Sequence, residues 1–267
     1  MPMPKSLYQD ETFASYWNDR AGDAGEVYKR YVLDPLMFNL IGDFKDKTII
    51  ELGCGNGYLA PKLLEQRPKQ IIMTDISKYN LQYAAEKCRD PRVSFLEQDA
   101  TEAWRIEPAA ADIVYSNMML NEIENIKTPI REAFRVLKDG GELVFSVTHP
   151  AWDLFMYAQE KAGQPSDKIK ELGGYFKRGF AKYLMGGDNK ANPKLKNKYS
   201  KAFEVEHYQR PVADYFSQLV KAGFIVKQLL EPEPTAELLQ EAPRFIDHTD
   251  HPIGLILYCT KPGASQI

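Results

Sequence analysis

The stretch Lys47-Thr48-Ile49-Ile50-Glu51-Leu52-Gly53-Cys54-Gly55-Asn56-Gly57-Tyr58-Leu59-Ala60 decides the fold. Its first half is a short, apolar, β-branched run ending in an acid, the pattern of a strand covered on both faces. From Tyr58 to Arg67 the apolar residues fall at helical spacing. Glycines at every second position between the two permit a tight turn. They also let backbone approach a ligand with no Cβ in the way. Strand, glycine-rich turn and helix in this order open a parallel sheet, and such sheets bind ligands at the carboxyl ends of their strands.

Glycine spacing also bears on the ligand. The dinucleotide fingerprint G-x-G-x-x-G needs its third glycine where Tyr58 stands, but here glycine comes one residue early, at Gly57. No Lys-Ser or Lys-Thr follows to complete a triphosphate cradle. The loop therefore suits an uncharged or zwitterionic moiety, and a nicotinamide oxidoreductase is disfavoured.

Outward from this loop the alternation continues. Strands are predicted at 70–75, 92–100, 111–117 and 141–149, and helices at 77–89 and 128–138, the latter closed by Asp139-Gly140-Gly141 as a C-cap. Beyond residue 209 come a helix over 210–224 and strands over 224–230 and 253–259. This is an α/β, doubly wound, mostly parallel sheet. We divide the chain into a helical, aromatic-rich N-terminal cap (1–44), an α/β core (45–149), an inserted lid (150–209) and the rest of the core (210–267). The lid lacks the alternation of strands and helices seen elsewhere.

Three acids stand at successive strand ends. Glu51 is placed to receive an ammonium group, Asp75 to accept both hydroxyls of a ribose, and Asp99, beside the Ala100 amide, to accept from an adenine amino group. One such acid is commonly a helix N-cap. Three on one rim point to a ligand.

Composition bounds the remaining classes. With 267 residues, 44% of them hydrophobic, the chain buries a sizeable core and is not intrinsically disordered. The net charge of −3 excludes a globally basic nucleic-acid coat. That charge is uneven, because residues 161–201 carry eleven Lys or Arg and three acids, a net of +8 against −11 elsewhere. Tyr175, Phe176, Phe180, Tyr183, Tyr199 and Phe203 lie among or beside those cations. A solvated insertion, a lid for an acidic or amphipathic small molecule, an anionic membrane surface and a single-stranded nucleic-acid surface all fit. No apolar run reaches membrane-span length, and the N-terminal residues lack the apolar core of a signal peptide. Cys54, Cys88 and Cys259 are spaced too widely for a metal cluster or a disulfide framework. A cytoplasmic protein is expected, with no metal.

The ordered set resembles the class I S-adenosylmethionine-dependent methyltransferases, in their small-molecule, type 11-like branch. The matching elements are Glu-x-Gly-x-Gly-x-Gly at 51–57, the acid in Ile-Ile-Met-Thr-Asp-Ile-Ser (71–77), Gln98-Asp99-Ala100, residues 111–125, residues 136–147 and residues 215–234. Together they span most of 45–150 and 205–262. The resemblance implies a seven-stranded sheet whose last strand, 253–259, is antiparallel, and S-adenosyl-L-methionine as cofactor. It implies cofactor contacts from Glu51, Gly53, Cys54, Gly55, Asn56, Gly57, Asp75, Ile76, Asp99, Ala100, Asn117 and Met118.

The activity implied is transfer of a methyl group to a small-molecule acceptor by in-line displacement, in a site closed against water. An acidic acceptor would suit the basic lid, and nucleic acid is disfavoured as a partner. The alternatives are a non-catalytic cofactor-binding regulator or partner protein, and an RNA-directed methyltransferase using that lid. Arg20, Tyr16 and Tyr28 are candidates to hold the cofactor carboxylate or cap the site, or equally to pack the cap on the sheet. Many members carry His where this chain has Asn121, so a base is not assumed there. His149, after the fifth strand, and His207, reaching down from the lid, are the candidate bases, with a strand-capping role as the alternative for His149. His248 and His251 precede the last strand and are expected on or near the opposite rim.

Overall fold

A computed structural model of the protein describes residues 6–152, 174–186, 195, 198–199 and 202–263. Helix α1 (Glu11–Ala21) begins at Asp10, whose side chain caps the Phe13 amide, and ends at Gly22. A π-turn (Lys29–Leu33) runs directly into α2 (Asp34–Ile41). The core follows as β1 (Thr48–Leu52), α3 (Ala60–Glu65), β2 (Gln70–Asp75), α4 (Lys78–Lys87), β3 (Val93–Glu97), β4 (Ala111–Asn117), α5 (Lys127–Val136) and β5 (Leu137–Thr148). After β6 (Gly179–Gly186) and β7 (Ala202–Gln209) come α6 (Val212–Ala222), β8 (Ile225–Leu230), α7 (Ala236–Glu241) and β9 (Gly254–Thr260).

Seven strands form one sheet in the order β3-β2-β1-β4-β5-β9-β8. β9 is antiparallel to both its neighbours, whereas β1 to β5 pair in parallel. Adjacent residues of each central strand enter opposite cores. Ile49, Tyr115, Val144 and Ile256 face the layer of α2 and α3, while Ile50, Val114, Phe145 and Leu257 face that of α5 and α6. This explains why the strands read as unbroken apolar runs rather than as alternations. Each such buried side chain contributes roughly 1.5–3 kcal/mol relative to exposure.

Three expectations are revised. Asp139-Gly140-Gly141 does not cap a helix, since α5 stops at Val136 and Leu137 is already extended. The glycines instead form an irregularity in β5, where Leu137 pairs with Ala111 and the next partner, Glu142, with Ile113. The inserted segment does contain strands: β6 and β7 form an antiparallel hairpin apart from the main sheet. Their alternation is weak because Phe180 and Tyr208 share the face of Lys182, Glu204 and Glu206, opposite Ala181, Tyr183, Met185, Phe203 and Val205. Finally, His248 and His251 are not at the opposite rim. An antiparallel strand begins where its parallel neighbours end, so Gly254 pairs with Thr148 at the ligand-binding edge. His248 there packs edge-on against Trp152, 4.9 Å between ring centroids.

The aromatic residues of the cap divide. Phe13 and Tyr16 join Met185, Tyr199 and Val205 in a third core, so α1 packs against the hairpin rather than on the sheet. Tyr28 packs into the main core. Among the described residues, no helix is long and apolar enough to cross a membrane.

Candidate functional site

One cavity of about 1400 Å³ opens at the carboxyl ends of the parallel strands, between the cap and the hairpin. All three strand-end acids line it, with Gly53, Cys54, Gly55, Asn56, Ile76, Ala100, Asn117 and Met118. Gly57 lies beneath the lining.

The glycines serve packing more than ligand approach. All three have positive φ, which L side chains rarely adopt. A Cβ on Gly57 would lie 2.5 Å from the Ala84 Cβ, and one on Gly53 would lie 2.3 Å from the Met119 Cγ. The alternate-glycine pattern thus presses the loop against α4 and against the segment after β4. Asp75 fixes the same loop from below. Its Oδ2 accepts the Gly55 amide at 2.8 Å, and its Oδ1 accepts the Ser77 amide at 2.9 Å and the Asn80 Nδ2 at 3.3 Å. Burial raises its carboxyl above the ordinary range, opposed by those donors.

Asn56 ties the loop to the cap, donating to the Gly22 carbonyl at 2.8 Å and to Asn18 Oδ1 at 3.1 Å. Asn117 ties the end of β4 to it. Its Nδ2 donates to Asp34 Oδ1 (2.7 Å), its Oδ1 accepts from Ser146 Oγ (2.7 Å), and its carbonyl accepts Lys29 Nζ (3.1 Å). Asp34 also accepts from Tyr58 Oη at 3.1 Å and Lys62 Nζ at 3.0 Å. The side chain of Asn117 is thereby spent on the cap, leaving its backbone at the cavity. Met118 follows with φ 57, a sparsely populated conformation, its amide held by the Ser146 carbonyl at 3.0 Å. Asp99 accepts the Thr101 amide at 2.8 Å and hydroxyl at 2.7 Å on one oxygen.

Glu51 is different. It is buried at the end of β1, and its Oε2 has no hydrogen-bond partner among the described residues. Burial, with the charges of Asp34 and Asp75, pushes its carboxyl up to about 8, opposed by Lys29. A buried carboxylate left with an empty acceptor position is costly unless a donor arrives.

A family model described as a methyltransferase domain matches residues 50–145. A crystal structure of a putative S-adenosylmethionine-dependent methyltransferase from Listeria monocytogenes superposes with a TM-score of 0.66 at 26% identity, covering 85% of this chain and 95% of that one. The chain carries the methyltransferase domain and the fold of the class I S-adenosylmethionine-dependent methyltransferases. Its cofactor is S-adenosyl-L-methionine, and the family makes it an enzyme.

A further structure, the methyltransferase of Mesorhizobium loti, shares the fold at 19% identity and a TM-score of 0.64, covering 90% of this chain and all of that one. Among curated proteins, an uncharacterized protein of Haemophilus influenzae is 24% identical over 85% of this chain and 86% of its own length. A malonyl-[acyl-carrier protein] O-methyltransferase of Priestia megaterium is 26% identical over 58% of this chain and 60% of its own. A ubiquinone biosynthesis O-methyltransferase of Serratia proteamaculans is 26% identical over 51% of this chain and 57% of its own. The matches to these last two thus cover well under two thirds of their lengths.

The two histidines fall in different places. His149 does not line the methyltransferase's cavity. Its Nδ1 accepts the Ala151 amide at 3.0 Å and its Nε2 lies 2.8 Å from Glu231. His207, buried on β7, lies beside Tyr183 with 5.2 Å between ring centroids. Its charge acts on Glu122, a residue the sequence reading passed over. Arg20 and Tyr16 interact with each other at 3.4 Å, and Arg20 also pairs with Glu26 at the cavity edge.

Nine Asp or Glu and three Lys or Arg line the cavity, which is therefore acidic. The described cations of the basic segment are largely committed elsewhere: Arg178 to Asp214 at 2.6 Å, Lys182 to Glu204 and Glu206 at 3.0 Å each, and Lys198 to Asp19. Lys161, Lys168, Lys170, Lys190, Lys194, Lys196 and Lys201 lie outside the described residues.

Proposed function

We propose that this methyltransferase transfers methyl to a small, uncharged acceptor carrying a dissociable proton, a phenol being the model case. The single observation that carries the reading is the continuity of the cavity. Its volume exceeds the roughly 300–1,000 Å³ usual for one ligand. One half is walled by the glycine loop and the three strand-end acids, the other by Tyr8, Phe180, Tyr183, Met185, Trp152 and Phe245. Two ligands side by side fit such a space, one polar and one aromatic or apolar.

The residues present fit the cofactor. Glu51, with its unpartnered Oε2, would receive the ammonium group, while Asp75 and Asp99 would hold the ribose and adenine ends. The acidic lining suits a cationic cofactor. When bound, that cofactor supplies a methyl group on a positively charged sulfur. The chain's own part is to hold the two ligands in line and to exclude water, and the cap–hairpin aromatic cluster is placed over the cavity to do so.

The names of the relatives offer two acceptor types. A malonyl group presents a carboxylate, whereas ubiquinone precursors present phenols. The acidic lining favours the second type over the acidic acceptor that the basic segment suggested. It also gives no support to RNA, whose phosphates it would repel. Calorimetric titration with S-adenosylmethionine and with NAD should show binding of the first alone. Labelled-methyl transfer should then place the label in a small-molecule extract. Label found only in RNA or protein, or in no product at all, would overturn the proposal.

A further inference from the structure

After Met118 the chain turns through Leu120–Glu122 and delivers Glu122 to the cavity wall between cap and hairpin. Its Oε1 accepts from Asn121 Nδ2 at 2.7 Å. Its Oε2 is shielded from solvent and makes no hydrogen bond of ordinary geometry among the described residues, while the Tyr8 hydroxyl lies near enough to favour the carboxylate. Glu97, Glu102, Glu124 and Glu206 also line the cavity but are exposed. No histidine is among the described lining residues.

Glu122 is also held in place. Arg210, buried at the end of β7, donates to the carbonyls of Leu120 (3.1 Å), Ile123 and Glu124 (3.0 Å), and so clamps the turn on both sides of Glu122. A guanidinium spent on three carbonyls of one turn makes Arg210 a positioning residue. An acceptor oxygen left empty in so fixed a turn is expensive unless it meets a proton donor.

We propose that Glu122 is the general base of this methyltransferase, accepting at Oε2 the proton of the acceptor's O–H or N–H. This rests on the methyl-transfer reading above. Glu122 takes the proton as the acceptor's electron pair bonds to the methyl carbon. The bond from that carbon to sulfur breaks, and its electrons stay on sulfur, cancelling the positive charge. The proton then leaves Glu122 for solvent, restoring the carboxylate.

The surroundings suit this role. Burial raises the Glu122 carboxyl to about 7, opposed chiefly by His207 on β7, then by Tyr8 of the cap, Lys29 of the π-turn and Asn121. Tyr8 in turn feels Tyr183 of β6 and Asp75 across the cavity. A base with that value is largely ionised just above neutrality and still basic enough to accept a phenolic proton. Because Tyr8 and His207 come from the cap and the hairpin, the base is complete only when both roof elements are in place.

The test uses the full chain as wild type, Glu122→Gln and Glu122→Asp. Carbon-13 spectra of protein labelled at the glutamate carboxyls are recorded across pH, with S-adenosylmethionine affinity measured by calorimetry. The wild-type minus Glu122→Gln difference should show one carboxyl titrating near 7, with cofactor affinity retained. Methyl transfer to catechol should fall by about 10²–10³-fold in Glu122→Gln and less in Glu122→Asp. The wild-type kcat/KM profile should lose activity on the acid side of 7, and Glu122→Gln should lack that limb. A Glu122 midpoint in the ordinary carboxylate range, or Glu122→Gln turning over catechol within about threefold of wild type, overturns the proposal. If wild type leaves catechol unmethylated, the phenolic acceptor is wrong, and the carboxyl titration alone then decides Glu122: a midpoint near 7 keeps it and an ordinary one removes it.

Discussion

The two halves of the cavity are built in opposite ways. The cofactor half comes from short stretches of successive strands and turns: Glu51 to Gly57 run from the end of β1 into the glycine turn, Asp75 ends β2, and Asp99 follows β3 by two residues. The acceptor half is assembled from segments far apart in sequence. Tyr8 comes from the N-terminal cap, Glu122 from the turn after β4, Tyr183 and Met185 from the hairpin, and Trp152 from beyond β5. The local motif is one short stretch of chain whose positive-φ glycines let Ala84, Met119 and Asp75 of neighbouring elements pack tightly against it. An assembled pocket depends on tertiary packing between elements far apart in sequence.

The sharpest way to break this comparison is at Gly57. With φ +74 and Ala84 2.5 Å from the position of its Cβ, Gly57→Val forces both a strained backbone and a collision with α4. A loss of about 3–5 kcal/mol is expected from overpacking and strain together. Thermal unfolding should show it, with S-adenosylmethionine binding abolished. A variant that keeps wild-type Tm would mean the loop is less tightly docked than its geometry requires. The next largest effect belongs to the joint between the halves. Asp34→Ala strands Tyr58, Asn117 and Lys62 without their acceptor. It should cost about 2–3 kcal/mol, read by denaturant titration, and should lower cofactor affinity by loosening the end of β4.

Sequence made the first half legible and left the second largely hidden, for a physical reason. Strand periodicity, the glycine loop and the acids at strand ends are nearest-neighbour features, so Glu51, Asp75 and Asp99 could be placed on one rim from spacing alone. The reason for the glycines was less legible, because Ala84 and Met119 approach them from other elements. His149 looked like a base since it follows β5, but its partners, Ala151 and Glu231, become visible only in three dimensions. Glu122 carried no spacing signal beyond following β4. Its shielded, unpartnered oxygen is a property of the fold. The hairpin was hidden because its many cations fit a solvated run, although Phe203, Val205 and His207 alternate with Glu204 and Glu206 at the period of a strand.

A pH experiment sharpens the contrast at Glu51. Its folded carboxyl stands at about 8, above the ordinary unfolded value, so the unfolded state holds fewer protons between those values. The stabilising contribution is therefore full below the unfolded value and is lost as pH rises toward 8. Glu51→Gln removes that penalty. In the absence of cofactor the variant should melt above wild type at pH near 8, and the gain should vanish in acid. S-adenosylmethionine binding should run the other way. Ionised Glu51 is the form that attracts ammonium, so wild-type affinity should climb as pH approaches about 8, with proton release on binding. Calorimetry in buffers of different ionisation enthalpy counts that proton, and Glu51→Gln should release none. Unchanged proton release in the variant would remove Glu51 from the cofactor's ammonium site.

The smallest effect is expected at an exposed charge of the hairpin. Lys182 is exposed and pairs with Glu204 and Glu206 across the hairpin, on the side away from the buried Val205 and Ala181. An exposed pair gains little from Coulomb attraction in water, and salt screens what it gains. Lys182→Gln should leave Tm within about 1 °C of wild type and leave cofactor affinity and methyl transfer to catechol unchanged. The same variant probes the nucleic-acid alternative. If the hairpin bound phosphates through this cation, its loss would flatten the salt dependence of RNA binding by about one unit of slope. With Lys182 committed to two carboxylates, no such change is expected, and any RNA association should be equally weak in both proteins.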